Sequence, residues 1–394
     1  SKDALSAKGQ HLGPGQQAHA LQLLASAVHA LQAKSHGWDE GSKLADALFS
    51  HFAHDYQEVR KAVCETLVEW EWTWLRPSLK SVPELLAHSR SAHGSLLAHS
   101  DVMRQRCEAL QSQLRSWRAQ RQPLAYGTSK YDVVASTGAL WVCLCLDDHR
   151  LGPMSTYVLS LVPDLFEAFQ LRDNEELSET AHDVLVQVAS HPFSAAQVPV
   201  LLEALLDILR RSESWHSRLD ALPLLQIVYY QNLYLLSHDM KRCILDVLCS
   251  LLHDPHVEVR DMAATTLAGI VRCSQRAYIT ELSQTFADMA AVPIPRRGSP
   301  GYEAAMTQVH AGVLGACALV AAFPYDVPSW MPSLVLDTIA VHSESPVPIS
   351  TTVRRCAADF RRTHQDTWAE DQHKFGDRVQ EVHDFTVGRS DYFA

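Results

Sequence analysis

Apolar positions along this chain recur mostly at intervals of three and four residues. Ala20, Leu21, Leu24, Val28 and Leu31 form one such series, Leu44, Leu48 and Phe52 another, and the run from Val184 to Val188 a third. That spacing places apolar side chains on one face of a helix, which then needs a second face to cover it. Alternation with period two, the mark of a half-buried strand, is nearly absent. The exception is Glu69-Trp70-Glu71-Trp72-Thr73-Trp74. No second alternating run lies nearby to pair with it, so it reads as a helix end packed on its neighbours. The pattern predicts an all-α fold.

Five segments share a turn rich in Asp or Ser, then a short apolar and polar pattern, then small residues that lead into an apolar helix. They begin at Asp55, Asp173, Glu213, Asp254 and Ser345, and end near Arg60, Ser178, Arg218, Arg260 and Arg354. The three middle ones are spaced about 40 residues apart, the period of a HEAT-type solenoid of stacked antiparallel helix pairs. The turn Asp caps the following helix by accepting backbone N–H groups. The Arg, one position past an inward apolar residue, is placed to reach the Asp of the adjacent repeat's turn. Residues 1–16, with Gly13-Pro14-Gly15, read as a loose lead-in, 17–375 as the repeat array, and 376–394 as a terminal helix and tail. Pro293 to Gly301 is the clearest flexible insertion, and Pro324 to Pro332 a tight connection.

Composition sharpens this picture without changing it. Of 394 residues, 47% are hydrophobic and 20% charged, with only 16 Gly and 18 Pro, which excludes a low-complexity or collagen-like chain. A net charge of −11 argues against direct DNA binding by the surface as a whole. Nine cysteines, mostly inside apolar runs such as those around Cys64, Cys145 and Cys317, read as reduced thiols of an intracellular protein. No signal peptide and no membrane-length apolar stretch is expected, and a start without Met reads as a piece of something longer.

Candidate chemistry is sparse. There is no phosphate-cradling G-x-x-x-x-G-K-[ST] run, no G-x-G-x-x-G and no H-E-x-x-H, and Cys143 and Cys145 lack the second pair of a zinc site. His88, His93 and His99 have no matched carboxylates, and Asp147-Asp148-His149 reads as a helix end. The sequence predicts no catalytic residue, no metal site and no enzyme. One basic helix stands out, in which Arg115, Arg118 and Arg121 step by three along a face; a solvated face and a polyanion contact are its two readings. Arg296-Arg297 is too short for a strong import signal.

From Leu251 onward the chain resembles a known family. The run Val257-Glu258-Val259-Arg260-Asp261-Met262-Ala263-Ala264, then His310-Ala311-Gly312-Val313-Leu314-Gly315, then Tyr325-Asp326-Val327-Pro328-Ser329-Trp330-Met331-Pro332, then Phe360-Arg361-Arg362-Thr363-His364, and the final Tyr392-Phe393-Ala394 occur in the order found in the large HEAT-repeat proteasome activators of the PA200/Blm10 family. The resemblance covers about the last 145 residues and corresponds to the C-terminal portion of much longer chains. It implies an ATP-independent cap on the α-ring of the 20S proteasome core, working in nucleus and cytoplasm, with gate opening aided by the chain end. By that resemblance Tyr392, Phe393 and Ala394 dock in a pocket between α-subunits, with Phe393 standing where the family has Tyr. Animal members also carry a bromodomain-like segment for acetylated core histones, corresponding here to about residues 205–300. At its acetyl-lysine position this chain has Ser274 and Gln275. Inositol phosphates, bound in the family, would have the Arg115, Arg118 and Arg121 helix as their candidate contact. A generic HEAT scaffold with another partner stays as the alternative.

Overall fold

The computed structural model describes residues 13–30, 38–74, 83, 96–147, 158–273 and 278–387, and every element among them is a helix or a helical turn. The chain groups into two compact units, residues 1–208 with 230–235 and residues 209–229 with 236–394, a division that composition does not show.

In the first unit, α1 (Pro14–Ala30) begins inside the segment expected to be a lead-in. Pro14 supplies a φ already suited to a first helical position, and the Gly13 carbonyl accepts the N–H groups of Gln16 and Gln17. Next come α2 (Trp38–Phe49) and α3 (Gln57–Trp74), so the Trp-rich alternating run is helix. Trp70 and Glu71 both point inward and are fully buried. The Glu71 carboxylate accepts from Trp141 Nε1 at 3.1 Å and Cys145 Sγ at 3.4 Å, both on α5 (Lys130–Asp147), which is how an acid survives in this core. α4 (Leu96–Ala119), α6 (Val162–Phe169) and α7 (Glu175–Ser190) complete the packing around α5. α8 (Val198–Arg211) closes this unit along the chain, and α9 (Trp215–Gln231) falls almost wholly in the second.

The second unit is built from helix pairs. α10 (His238–Leu251) pairs with α11 (Val257–Cys273), and α12 (Ile279–Ala290) with α13 (Tyr302–Ala321). α14 (Met331–His342) and α15 (Ile349–His364) follow, then the short α16 (Trp368–Asp371) and α17 (Val379–Val387). α13 packs against α11, α12 and α15, which explains its composition. It is long and apolar enough to cross a membrane, contrary to the expectation that no such stretch exists, but 72% of its apolar window is buried inside the protein. A helix covered on every side reads as apolar all round. Gly312 and Gly315 let it approach α12 closely. A Cβ on Gly312 would lie 2.5 Å from the Ala290 nitrogen and 2.7 Å from the Phe286 carbonyl oxygen, and one on Gly315 would fall within 2.6 Å of three Phe286 ring atoms.

Each of the five repeated turns leads into a helix, at Gln57, Glu175, Trp215, Val257 and Ile349. The expected inter-repeat pair forms once in full: Arg218 donates to both oxygens of Asp254 at 2.7 and 3.1 Å and also to the Ser212 carbonyl of its own turn. Arg60 and Arg260 depart from the expectation. They donate back to carbonyls of their own turns, those of His54 and Asp55, and of Asp254 and Pro255.

Candidate functional site

Tyr392, Phe393 and Ala394 lie outside the described residues, as do Ser274 and Gln275. The described residues that precede the tail in sequence form a packed base. The connection from Pro324 to Pro332 is held there by its own motif: Val327 and Met331 are buried, while Trp330 meets Phe323 edge-on with ring centres 5.4 Å apart. Asp326 faces the turn after α16, where Lys374 Nζ donates to its carboxylate at 3.0 Å and to Asp371 at 2.9 Å. The carbonyl of Asp326 lies 3.3 Å from Nε2 of the buried His364, whose ring stacks on Phe360 at 4.2 Å. Phe360, Trp368 and Phe375 form a further cluster with centres 5.9–6.5 Å apart. Arg378 continues the clamp onto α14 through Asp337 at 2.8 Å. Burial alone would push the Asp371 carboxyl up, but the Thr367 hydroxyl and the Lys374 ammonium outweigh it and hold it below its ordinary value. Lys374 is raised in turn by its bonds to Asp371 and Asp326. His364 stood in the sequence only as the end of a recognisable string, and Asp371 and Lys374 carried no signal, because the clamp joins residues up to 48 positions apart.

The three arginines do not share one helix, since α4 ends at Ala119 and Arg121 lies past it, and they do not form one anion platform, since each faces different carboxylates. Arg121, with its side chain only 6% exposed, donates to the Asp132 carboxylate at 2.9–3.2 Å and to Asp173 at 3.0 Å. Burial opposes its charge, but those bonds win and raise its pKa. Asp132 is likewise raised by burial and brought down further by Arg121, Ser129 and Asn174, to a net value below the usual range. Arg118 sits 5.4 Å over the Tyr131 ring and 3.8 Å from Glu167. Arg115 is exposed and faces Asp164, whose carboxyl burial lifts to about 6 against the opposing pull of Gln111 and Arg115. The three arginines thus tie α4 and the segment just after it to the start of α5, to α6 and to the 173 turn. The sequence pattern could not show this because the acids come from distant segments.

On α13, His310 is buried and shares a 3.0 Å hydrogen bond with the Thr352 hydroxyl through Nε2, while Nδ1 has no protein partner. Among the described residues no group of three or more His, Cys, Asp or Glu comes together as metal donors. Asp147 accepts from Gln187 at 2.6 Å; Asp148 and His149 lie outside the described residues.

Comparison with known proteins follows the same boundaries. A family model described as "Proteasome activator complex subunit 4-like, C-terminal" matches residues 306–394, and a HEAT-repeat model matches residues 244–274, the α10–α11 pair. Proteasome activator complex subunit 4A of Danio rerio is 35% identical over 233 residues, 56% of this chain and 12% of that protein. Subunit 4 of Homo sapiens is 34% identical over 235 residues, 56% and 13% respectively, and proteasome activator subunit 4 of Arabidopsis thaliana 32% over 227, 55% and 12%. The chain thus spans only 12–13% of the length of the curated relatives it matches. Among solved structures, the TSC2 N-terminus is 11% identical and aligns over 98% of this chain and 93% of that one with a TM-score of 0.39. Kap121p bound to Nup53p is 13% identical over 98% and 43%, with a TM-score of 0.36. With a HEAT-repeat match ahead of it and the Tyr325–Pro332 string inside it, the part of this chain from residue 306 onward is similar to the C-terminal region of proteasome activator complex subunit 4-like proteins.

Proposed function

We propose that this chain contributes the docking end of an ATP-independent proteasome activator, which caps the 20S core α-ring and promotes gate opening. The observation that carries the reading is the family match from residue 306 through residue 394, which spans the clamp and the tail together. The clamp of Asp326, Lys374 and Asp371 lies just before α17 in the chain, and α17 leads into the last residues of the sequence. A C-terminal carboxylate on Ala394 can pair with a lysine in a pocket between α-subunits, while the rings of Tyr392 and Phe393 pack behind it. Phe393 lacks the hydroxyl of the family Tyr, which removes one hydrogen bond worth about 1 kcal/mol and leaves docking in place.

The test is removal of Tyr392, Phe393 and Ala394 from the full-length parent. Association with purified 20S core and stimulation of its peptidase activity should both fall about tenfold or more, an energy of about 1.4 kcal/mol. Phe393→Tyr should strengthen association. Unchanged binding after the deletion would refute the reading.

A further inference from the structure

A cleft of about 360 Å³ opens in the first unit between α2, α4 and the first turn of α5, and none of the residues assigned above lines it. Its floor is aromatic. Phe49 and Phe52 stack with ring centres 5.0 Å apart, and each meets the buried Trp141 edge-on, at 5.3 and 5.8 Å. Trp117 stands on the rim, with the Lys130 ammonium 4.9 Å from its ring centre. At the opposite end Arg106 Nε donates to Asp46 at 2.9 Å.

The charges at the two ends differ in kind. Asp46 offsets Arg106, whereas Lys130 makes no ion pair among the described residues and sits over the Trp117 face. The cleft therefore carries a net positive mouth on a chain whose net charge is −11. An ammonium held against an indole keeps much of its field for an approaching anion. From Arg106 to Trp117 the cleft follows α4 for about 16 Å, enough for about five residues of extended chain.

We propose that this cleft receives an extended acidic segment of a partner protein. An apolar side chain of that segment would lie on the half-buried Phe49, which the buried Phe52 and Trp141 back from beneath, with a neighbouring carboxylate against Lys130. The floor supplies apolar burial without sequence detail, and Lys130 supplies the charge preference.

A labelled peptide of sequence Gly-Leu-Phe-Asp-Asp-Gly, titrated with the whole chain and read by fluorescence polarisation, tests this. Its two controls carry asparagine or lysine in place of both aspartates. The acidic peptide should bind about tenfold tighter than the asparagine peptide at low salt, with the gap closing as salt rises. Lys130→Glu should reverse the order in favour of the lysine peptide, and Trp117→Ala should weaken all three. Lys130 is exposed and opens a helix, where an acid is better tolerated than a base, so the variant keeps its fold. Equal binding of the acidic and asparagine peptides, or an unchanged order in Lys130→Glu, would overturn the proposal. A dimer seen by sedimentation that Lys130→Glu dissolves would overturn it too, by making a second copy the occupant.

Discussion

His310 shows what one buried group does to a helix packed on all sides. Its ring is 1% exposed, and burial is the first cause of a pKa lowered to about 4. The neighbouring Arg260 and Arg355 charges lower it further, and Asp261 opposes them. The sign follows from linkage. An unfolded chain protonates this histidine below pH ~6.5 while the folded one does not, so stability falls as pH drops from about 6.5 to about 4. The full span corresponds to about 3 kcal/mol. Carboxylates such as Asp132 and Asp254, held below their ordinary value of 3.8, lose their contribution only at lower pH, so the two windows separate. Asp164, lifted to about 6 by burial, contributes with the opposite sign in the same window, so the His310 share is read as a difference: in urea unfolding at a series of pH values, His310→Gln should remove a loss of stability that the parent suffers between pH ~6.5 and ~4. A variant with the parent's slope in that window would exclude His310 as the source. The sequence displayed His310 only as part of a recognisable string. Its burial, and the arginines around it, come from two other helices and left no local trace.

At the scale of helices, the close contact of α12 with α13 makes opposite predictions for glycines that look alike in sequence. Gly312 and Gly138 both sit inside helices, where Ala is normally the better residue by about 1 kcal/mol. An added Cβ at Gly138 meets nothing within 4 Å, so Gly138→Ala should raise the melting temperature. At Gly312 the same methyl strikes backbone atoms of α12, which cannot move without parting the helices. Gly312→Ala should destabilise by about 1–3 kcal/mol, read as a lower urea midpoint. Equal shifts for the two variants would mean that α12 and α13 yield more easily than the contact implies. The turn ladder makes a further prediction. Arg218 and Asp254 are both largely buried, so Arg218→Ala leaves a carboxylate without its partner and should cost about 3 kcal/mol or more. Replacing both residues should cost less than the two single losses added together. The turns and their period were legible because each repeats the same residue types at the same offsets. The direction each arginine takes was not. Arg260 turns back to its own turn because the next one, from Val292 to Gly301, offers Arg296 and Arg297 rather than an acid.

For the chain as a whole, the question is how a tail of a few residues can matter to so large a relative. A short docking segment gains from being held at a fixed place, since each loose residue in its attachment lowers its effective concentration at the pocket. Motif order is what proposes the tail, whereas the clamp that precedes it in the chain was hidden. Asp326, Asp371 and Lys374 meet only after two helices have been folded back, and none of them is unusual in its own segment. Lys374 is the one cation bridging both acids, and it is partly exposed, so its removal should loosen the last helices without opening the core beneath them. In Lys374→Ala, amides of α17 (Val379–Val387) should exchange several-fold faster with deuterated solvent. Those of α13 (Tyr302–Ala321) should keep their protection. On the proposed docking mode, the same change in the full-length parent should weaken association with the 20S core a few-fold, less than loss of the tail itself, because Tyr392, Phe393 and Ala394 remain and only their anchorage has slackened. Faster exchange with undiminished association would separate the clamp from docking. Unchanged exchange would show that the aromatic cluster of Phe360, Trp368 and Phe375 holds α17 without help from the ion pairs.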